Sequence, residues 1–183
     1  MTYSKNDLMF LPLGGSGEIG MNCNLFHFKG KWIMVDLGVT FSDNETNHYE
    51  LILPDIDFIT DQINKLSGII LTHAHEDHIG ALPYLFDRLA KIPIYTTAFT
   101  SSVLRRKFDS LGITNYEINL LEYSKSNYVG PFEVKIFWMT HSIPQSNAIF
   151  LKTEKGNILH SGDWKIDPNP LVGEPISKNK FKE

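Results

Sequence analysis

Four potential metal ligands lie close together in one short segment of the sequence. His73, His75, Asp77 and His78 follow the spacing HxHxDH, directly after the apolar run 68–71. A chain that leaves a buried strand into a tight turn can aim all four side chains into one small volume, where imidazole and carboxylate suit Zn²⁺ or Mn²⁺. Two such ions a few ångströms apart would activate a shared water. Because this spacing is far more specific than a generic pair of histidines, it indicates a metal site rather than a loop that is rich in histidine by chance.

Two further candidate ligands stand where strands should end. His141 follows a predicted strand at 132–139, and Asp163 follows a predicted strand that ends at His160. In α/β sheets, ligand sites gather at strand ends along one edge. Taken alone, His141 would more often be a satisfied surface or core histidine, and Asp163 a turn aspartate. Their coincidence with the HxHxDH turn makes both of them candidate ligands of the same site.

The elements that must position these residues follow from the hydrophobic periodicity, which switches between the patterns of strands and helices. It predicts helices at about 55–66, 79–90 and 100–111. It predicts strands at 8–13, 23–28, 32–36, 68–71, 92–96, 116–123, 132–139, 148–153 and 157–160. Residues 37–54 and those after Asp163 have the composition of loops. The alternation favours one α/β domain whose second half is mostly β.

The composition is that of an ordinary globular domain. With 183 residues, of which 42% are hydrophobic, the chain can bury one sizeable core. No apolar run approaches the length of a membrane span and the N-terminus has no signal-peptide pattern, so we expect no membrane partner. The single cysteine, Cys23, excludes an intramolecular disulfide and fits a reducing cytoplasm. The net charge of −4 gives no global electrostatic case for a nucleic-acid partner.

A glycine-rich segment offers a different interpretation. Residues 15–20 satisfy GxGxxG after a short strand, and Asp36 lies about where the ribose-binding acid of a dinucleotide-binding domain would fall. That class requires a helix directly after the glycines, whereas residues 22–28 alternate like a strand and turn at Gly30. We therefore expect the glycine loop to let the backbone pass close to the metal site or the substrate.

These motifs together resemble the metallo-β-lactamase superfamily and, within it, the β-CASP ribonucleases, most closely the ribonuclease J family. The resemblance covers almost the whole chain. It rests on the glycine loop 13–20, Asp36-Leu37-Gly38, the turn from His73 to His78, His141-Ser142-Ile143-Pro144 and Ser161-Gly162-Asp163-Trp164-Lys165. One departure is Gln145, which stands where the ribonuclease J pattern usually has an aspartate.

The resemblance implies a site for two divalent ions, Zn²⁺ or alternatively Mn²⁺. His73, His75 and His141 would hold one ion. Asp77 and His78 would hold the other, together with a further histidine that the family supplies after its β-CASP domain. Because that histidine is missing here, we expect the second ion to be held more weakly, with partial or no occupancy.

Asp163 would bridge the two ions by the same resemblance. Asp77, His78 and Asp163 would then be the catalytic residues. Asp36 would lie behind the ligands and orient the histidine loop, a role that commonly matters for metal affinity.

The resemblance also implies the fold class, α/β (α+β), with the αββα sandwich of the metallo-β-lactamases and only its N-terminal half in this chain. We expect a mixed β-sheet with helices on its outer face and with the second sheet missing. Residues 1–167 would form the partial metallo-β-lactamase domain, and the Pro/Lys-rich tail 168–183 would lead towards an absent β-CASP domain. The inner face of the sheet would then expose apolar surface, so we expect a homo-oligomer that buries it.

The implied function is that of a metal-dependent hydrolase, a ribonuclease J-like phosphodiesterase that acts on single-stranded RNA in the cytoplasm. One alternative is a hydrolase of the same fold with a small thioester or lactam substrate, and another is a folded fragment without catalysis. Two ions and a substrate groove must be placed accurately for in-line attack. We therefore expect the 183-residue chain alone to hydrolyse RNA slowly or not at all.

Overall fold

The computed structural model describes residues 3–42, 51–89, 91–123 and 125–176. Within these ranges the helices are α1 Asp57–Thr60, α2 Glu76–Ile79, α3 Leu82–Leu89 and α4 Ala98–Ser110. The strands are β1 Met9–Gly14, β2 Cys23–Phe28, β3 Lys31–Val35, β4 Thr40–Phe41, β5 Leu51–Ile52, β6 Leu66–Ile70, β7 Ile94–Thr96, β8 Ile118–Leu120, β9 Asn127–Val129, β10 Phe132–Trp138, β11 Asn147–Thr153 and β12 Gly156–His160. They form two β-sheets and a short ribbon of β4 with β5.

The larger sheet has six strands in the order β1-β2-β3-β6-β7-β8. Strands β1, β2 and β3 pair antiparallel, whereas β3, β6, β7 and β8 run parallel. The hairpin between β2 and β3 turns at Lys29 and Gly30, whose φ angles of 49° and 75° are of the sign that a two-residue type I′ turn requires. The mixed sheet and this hairpin, both predicted from the sequence, are confirmed.

The central strands of the six-stranded sheet are buried on both faces. Along β3, Trp32 and Met34 face the helices, whereas Ile33 and Val35 face the second sheet. Because successive side chains of a strand point to opposite faces, a continuously apolar strand such as β3 serves two cores at once. The helices contribute buried apolar residues to the first of these cores: Ile59, Ile79, Leu82, Phe86, Leu104 and Phe108.

A second sheet of four antiparallel strands, in the order β12-β11-β10-β9, packs on the inner face of the first. The prediction that this sheet is missing is therefore wrong. The alternation along β10 explains its position, because Val134 and Ile136 are buried while Glu133 and Lys135 lie on the outer face. The inward residues join those of β3 in one apolar core. The second sheet thus covers the inner face within the chain. Exposed apolar surface on this face therefore no longer supports the expected homo-oligomer.

Two predicted helices differ from the structure. The helix expected at 55–66 ends after α1, and a 3₁₀ turn at Ile63–Lys65 follows it, because Leu66 enters β6 and pairs with Trp32. The helix expected at 79–90 divides into α2 and α3. The backbone N–H of Ala81 donates to Leu37 O at 3.1 Å instead of continuing the helix, and α2 starts inside the HxHxDH turn. The helix expected at 100–111 is confirmed as α4.

The remaining differences lie in connecting segments. The ribbon of β4 and β5 falls in the predicted loop 37–54, of which residues 43–50 lie outside the described part of the chain. Strand β9 was not predicted and pairs with β10. Residues 164–176 contain no helix or strand, in keeping with their loop-like composition, and residues 177–183 lie outside the described ranges.

Candidate metal centre

Four strand ends bring their polar residues to one edge of the sandwich. Asp36 directly follows β3, and His73 lies three residues beyond the end of β6. His141 and Asp163 likewise lie three residues beyond the ends of β10 and β12. Each sheet therefore contributes two strand ends, and the site forms where the carboxyl ends of these strands meet.

Three imidazole nitrogens converge at this edge. His73 Nε2 lies 3.0 Å from His75 Nδ1, and His141 Nε2 lies 3.1 Å from the same nitrogen. The three rings meet edge to face, with centroids 4.7 to 5.0 Å apart. Because the three ligand atoms all lie within 4.8 Å of one another, this three-histidine group could hold one metal ion.

A second group shares His73 and adds His78 and Asp163. His78 Nε2 lies 3.5 Å from Asp163 Oδ1 and 3.5 Å from Asp77 Oδ2. The other carboxylate oxygen of Asp163, Oδ2, lies 3.6 Å from His141 Nε2. The two oxygens of Asp163 thus face different groups, an arrangement that would let this carboxylate contact two ions. Asp77 stands outside both groups of three but borders the second one.

Asp36 is fully buried behind the histidines. Its Oδ1 accepts the backbone N–H of Thr72 at 2.8 Å, and its Oδ2 accepts the Thr72 hydroxyl at 2.8 Å and His78 Nδ1 at 2.7 Å. Because a carboxylate only accepts, Nδ1 of His78 must carry hydrogen, which leaves Nε2 facing the second group. The Thr72 hydroxyl gives its hydrogen to Asp36 and accepts His73 Nδ1 at 3.0 Å, so His73 also presents Nε2. One carboxylate therefore fixes the orientation of two rings.

The charges of the site act strongly on one another. Burial and the positive charge of His78 lower the pKa of His73 to about 3. Burial by itself lowers the pKa of His78, but the negative charge of Asp36 and the contact with Asp163 raise that pKa to about 10. The same contact with His78 lowers the pKa of Asp163 to about 2. Burial raises the pKa of Asp36, yet the charge of His78 keeps it below its usual value.

The glycine loop and the segment after β3 pack against the HxHxDH turn. The backbone N–H of Asn22 donates to Asp77 O at 2.9 Å, and Gly38 N donates to Asn22 O at 2.9 Å. The side-chain amide of Asn22 also donates to Asp77 O at 3.1 Å and lies 3.2 Å from His78 Nε2. A Cβ atom at Gly38 would overlap the carbonyl of Asp77, so only glycine fits there. Because β2 rather than a helix follows the glycine loop, the dinucleotide-binding interpretation is excluded.

The site contains four polar residues that the sequence analysis did not single out: Asn22, Thr72, Ser146 and Asn147. Thr72 and Asn22 had a positional signal, because the first directly precedes His73 and the second follows the glycine loop. Ser146 and Asn147 had none, since polar residues at the start of a strand are common. Their contacts depend on which loops come together in space.

Two packed β-sheets with helices on the outside carry histidines and aspartates at one edge. This combination is typical of a class of α/β proteins with metal-binding centres. The chain belongs to the metallo-β-lactamase superfamily, since the family described as "Metallo-beta-lactamase superfamily" matches residues 17–111. The matched segment contains the end of the glycine loop, the HxHxDH turn and helices α1 to α4. Membership of this superfamily implies a centre for divalent metal and hydrolytic chemistry.

Curated relatives with substantial sequence identity are named ribonuclease J. The one from Sinorhizobium meliloti is 42% identical and aligns with 97% of this chain and 32% of its own length. Those from Thermus thermophilus and Helicobacter pylori are 36% and 37% identical, over 93% and 94% of this chain and 31% and 25% of their own lengths. The chain thus spans about a third or less of the length of these relatives.

Solved structures show the same fold at low sequence identity. A protein of unknown function from Enterococcus faecalis V583 matches with a TM-score of 0.63 and 21% identity, over 87% of this chain and 44% of that chain. The metallo-β-lactamase fold protein YhfI from Bacillus subtilis matches with a TM-score of 0.59 and 17% identity, over 86% of this chain and 63% of that chain. The predicted fold class is therefore confirmed. Within the described ranges, no helix has the length and apolar character needed to cross a membrane.

Proposed function

We propose that this chain carries the metal centre of a ribonuclease J-like hydrolase that cuts RNA phosphodiester bonds. The observation that supports this most is the convergence of His73, His75 and His141 beside the pair formed by His78 and Asp163. The relatives named ribonuclease J favour RNA over other substrates of the superfamily.

The donor set fits divalent metal ions that prefer nitrogen and oxygen ligands. Zn²⁺ is commonly held by three histidines, and carboxylates next to histidines suit Zn²⁺ or Mn²⁺. We therefore propose two ions, Zn²⁺ or alternatively Mn²⁺, with Asp163 shared between them. The residues that would hold them are His73, His75, Asp77, His78, His141 and Asp163. When bound, such ions supply Lewis acidity, which favours ionisation of water near neutral pH and offsets the charge that develops on phosphate oxygens.

The residues of the chain would divide the remaining work. Asp77, His78 and Asp163 are our proposed catalytic residues, because His78 and Asp163 belong to the second group and Asp77 borders it, with His78 Nε2 3.5 Å from both carboxylates. Asp36 would keep His78 turned so that Nε2 faces this group. Lys165 follows Asp163 closely, is half exposed and pairs with Asp167 at 3.3 Å. An RNA phosphate at the rim of the site would compete with Asp167 for its ammonium group.

The cytoplasmic location and the self-association expected from the sequence stay predictions. A cytoplasmic location is part of this proposal because the RNA substrate would be found there. Self-association is a prediction without an assigned surface, because the inner sheet face once expected to mediate it is buried. Light scattering at high protein concentration tests it, and a monodisperse monomer would contradict it.

The metal part of the proposal is tested by titrating the metal-free chain with Zn²⁺ and Mn²⁺ in a calorimeter, with metal analysis of the product. We expect the wild type to bind at least one ion tightly, and His75→Ala to lose that binding. The matched control is His27→Gln, because His27 is also a buried histidine, but its ring packs on Tyr3 and Trp32 away from the site. Absence of binding by the wild type, or an equal loss in His27→Gln, would overturn the assignment.

The RNA part is tested with 5′-monophosphorylated single-stranded RNA and added Zn²⁺ or Mn²⁺, next to a chromogenic lactam and a thioester. A chain that includes residues 1–183 and has the length of the ribonuclease J relatives should cleave RNA, and Asp77→Ala or His78→Ala should abolish cleavage. The segment 1–183 alone should act slowly or not at all. Turnover of the lactam or the thioester without RNA cleavage would overturn the proposed substrate class.

A further inference from the structure

Two consecutive residues, Ser146 and Asn147, lie where three loops of the candidate metal centre meet. Both side chains are buried, with 0% and 1% of their surface exposed. Asn147 is the first residue of β11 and Ser146 directly precedes it, and neither is a candidate metal ligand. Polar groups this deeply buried are costly unless they are hydrogen-bonded, so their partners indicate what holds them there.

The side-chain amide of Asn147 joins two of these loops. Its Nδ2 donates to Thr72 O at 2.9 Å and to Gln145 O at 2.6 Å. Thr72 directly precedes His73, and Gln145 lies in the loop that starts at His141. An asparagine amide has two hydrogens, and here each one is directed to a different ligand-bearing loop. Asn147 thus connects the segment after β6 in one sheet to the segment after β10 in the other.

Ser146 joins the third loop. Its hydroxyl donates to the backbone carbonyl of Asp163 at 3.1 Å, and its own carbonyl accepts the N–H of Met139 at 2.9 Å. Ser146 therefore helps to fix the backbone of Asp163. The backbone position in turn determines where the carboxylate of Asp163 can lie. The two neighbours act on different residues of the centre.

The turn that precedes this pair has an unfavourable backbone conformation. Gln145 has a backbone φ of 56°, in the left-handed region that residues other than glycine rarely adopt. Its side-chain Oε1 accepts the N–H of Phe99 at 2.8 Å, in the first turn of α4. This conformation persists because several contacts fix it, and it brings the carbonyl of Gln145 to the amide of Asn147.

We propose that Asn147 is a positioning residue for the three-histidine group and that Ser146 is a positioning residue for the group that contains Asp163; the proposal rests on the function proposed above. His73 and His141 come from different sheets, yet their Nε2 atoms lie 3.0 and 3.1 Å from the same nitrogen of His75. Asn147 is hydrogen-bonded to both segments that carry them. Metal affinity depends on such supporting contacts because ligands must be held to within a fraction of an ångström.

The test measures metal binding separately from folding. Asn147→Leu keeps the volume but removes both hydrogen bonds, and Ser146→Ala removes one. Ile149→Ala, in the same strand, is the control, because Ile149 is buried in the core between the sheets. Zn²⁺ affinities come from competition with a chromophoric chelator, ligand geometry from the absorption bands of the Co²⁺-loaded chain, and stability from urea unfolding of the metal-free chain.

We assign the tighter ion to the three-histidine group and the weaker ion to the group that contains Asp163. We expect Asn147→Leu to lower the affinity of the tighter ion by about 10-fold or more and to change the Co²⁺ bands. Ser146→Ala should lower the affinity of the weaker ion and leave the tighter one within about twofold. Ile149→Ala should lower stability without changing either affinity. An Asn147→Leu chain that binds both ions like the wild type overturns the inference, as does an equal loss of affinity in Ile149→Ala.

The two proposals fail in different ways. If Asn147→Leu does not fold, Ser146→Ala decides the matter, and unchanged affinities for both ions in that variant overturn the inference. A wild-type chain that binds no metal overturns the proposed function itself, and this inference with it. Wild-type binding together with unaffected variants overturns the inference alone.

Discussion

His78 Nδ1 lies 2.7 Å from Asp36 Oδ2, and both side chains are buried. This contact connects the end of β3 to helix α2, and it decides which nitrogen of His78 faces Asp77 and Asp163. Removing one partner of a buried charged pair is more costly than the pair is stabilising, because the other charge stays behind without a partner. The pair is therefore where ligand orientation and fold stability are most closely linked.

We expect Asp36→Asn to fold and yet to lose the weaker ion. An amide at position 36 can direct its oxygen to Thr72, but its NH₂ group then faces His78 Nδ1. The ring hydrogen of His78 would move to Nε2, the nitrogen that must be free to bind metal. The affinity should fall about 10- to 100-fold in the chelator assay. Asp36→Ala should instead lower the free energy of unfolding by about 3 kcal/mol or more, and wild-type metal affinity in Asp36→Asn would contradict this account.

A second prediction concerns Gly38, where a Cβ atom would overlap the carbonyl of Asp77. Because the obstacle is backbone on a ligand-bearing turn, Gly38→Ala should cost more than about 3 kcal/mol in urea unfolding, or prevent folding. The control is Gly112→Ala, at a glycine with φ of 71° and open space around it. There the backbone strain alone should cost about 1–2 kcal/mol. Equal costs for the two variants would show that the overlap at Gly38 is relieved by movement of the turn.

The fold was predictable where the signal is local. The hairpin of β2 and β3 follows from its alternation and from Gly30, and α4 follows from its periodicity and from the glycine that ends it. Strands β10, β11 and β12 of the second sheet were also recognised as strands, whereas β9 was not. Their packing on the first sheet was not, because strand periodicity says which face is apolar but not which partner covers it. The helix expected at 55–66 failed for a related reason, since Leu66 is taken into a parallel ladder with Trp32.

In the candidate site, too, the features with a local sequence signal were predictable and the contacts between distant segments were not. The HxHxDH turn brings its own ligand types at fixed spacing, and the strand ends carrying His141 and Asp163 were expected at the same edge, where the structure places them. Their roles as ligands stay predictions. The hydrogen bonds of Asn147 could not be predicted, because its two acceptors are backbone carbonyls that lie 75 and 2 residues away in sequence. Backbone acceptors carry no residue-type signal.

The reactivity of Cys23 tests whether solvent reaches the region behind the candidate metal centre. The thiol is fully buried, and burial together with the negative charge of Asp36 raises its pKa well above the usual range. Because thiolate is the reactive form, a raised pKa means less of it at any given pH. We expect no reaction with a disulfide reagent at pH 8 in the native chain beyond the rate of structural opening, and complete reaction in urea. Rapid stoichiometric reaction of the native chain would contradict the burial of this strand.

The last prediction concerns Gln145, whose Oε1 accepts the backbone N–H of Phe99 in the first turn of α4. The first turn of a helix favours negative charge, since its N–H groups are unpaired and the helix dipole is positive there. Gln145→Glu keeps the length of the side chain and should raise the free energy of unfolding by about 0.3–1 kcal/mol at low salt, with a smaller gain at high salt. Gln145→Met keeps the length but removes the acceptor, and it should lower stability by about 1 kcal/mol. Asn6→Asp adds the same charge at an exposed position near the N-terminus and controls for net charge. A gain in Gln145→Glu no larger than that in Asn6→Asp, or one that does not shrink with salt, would show that the contact with α4 does not stabilise the loop.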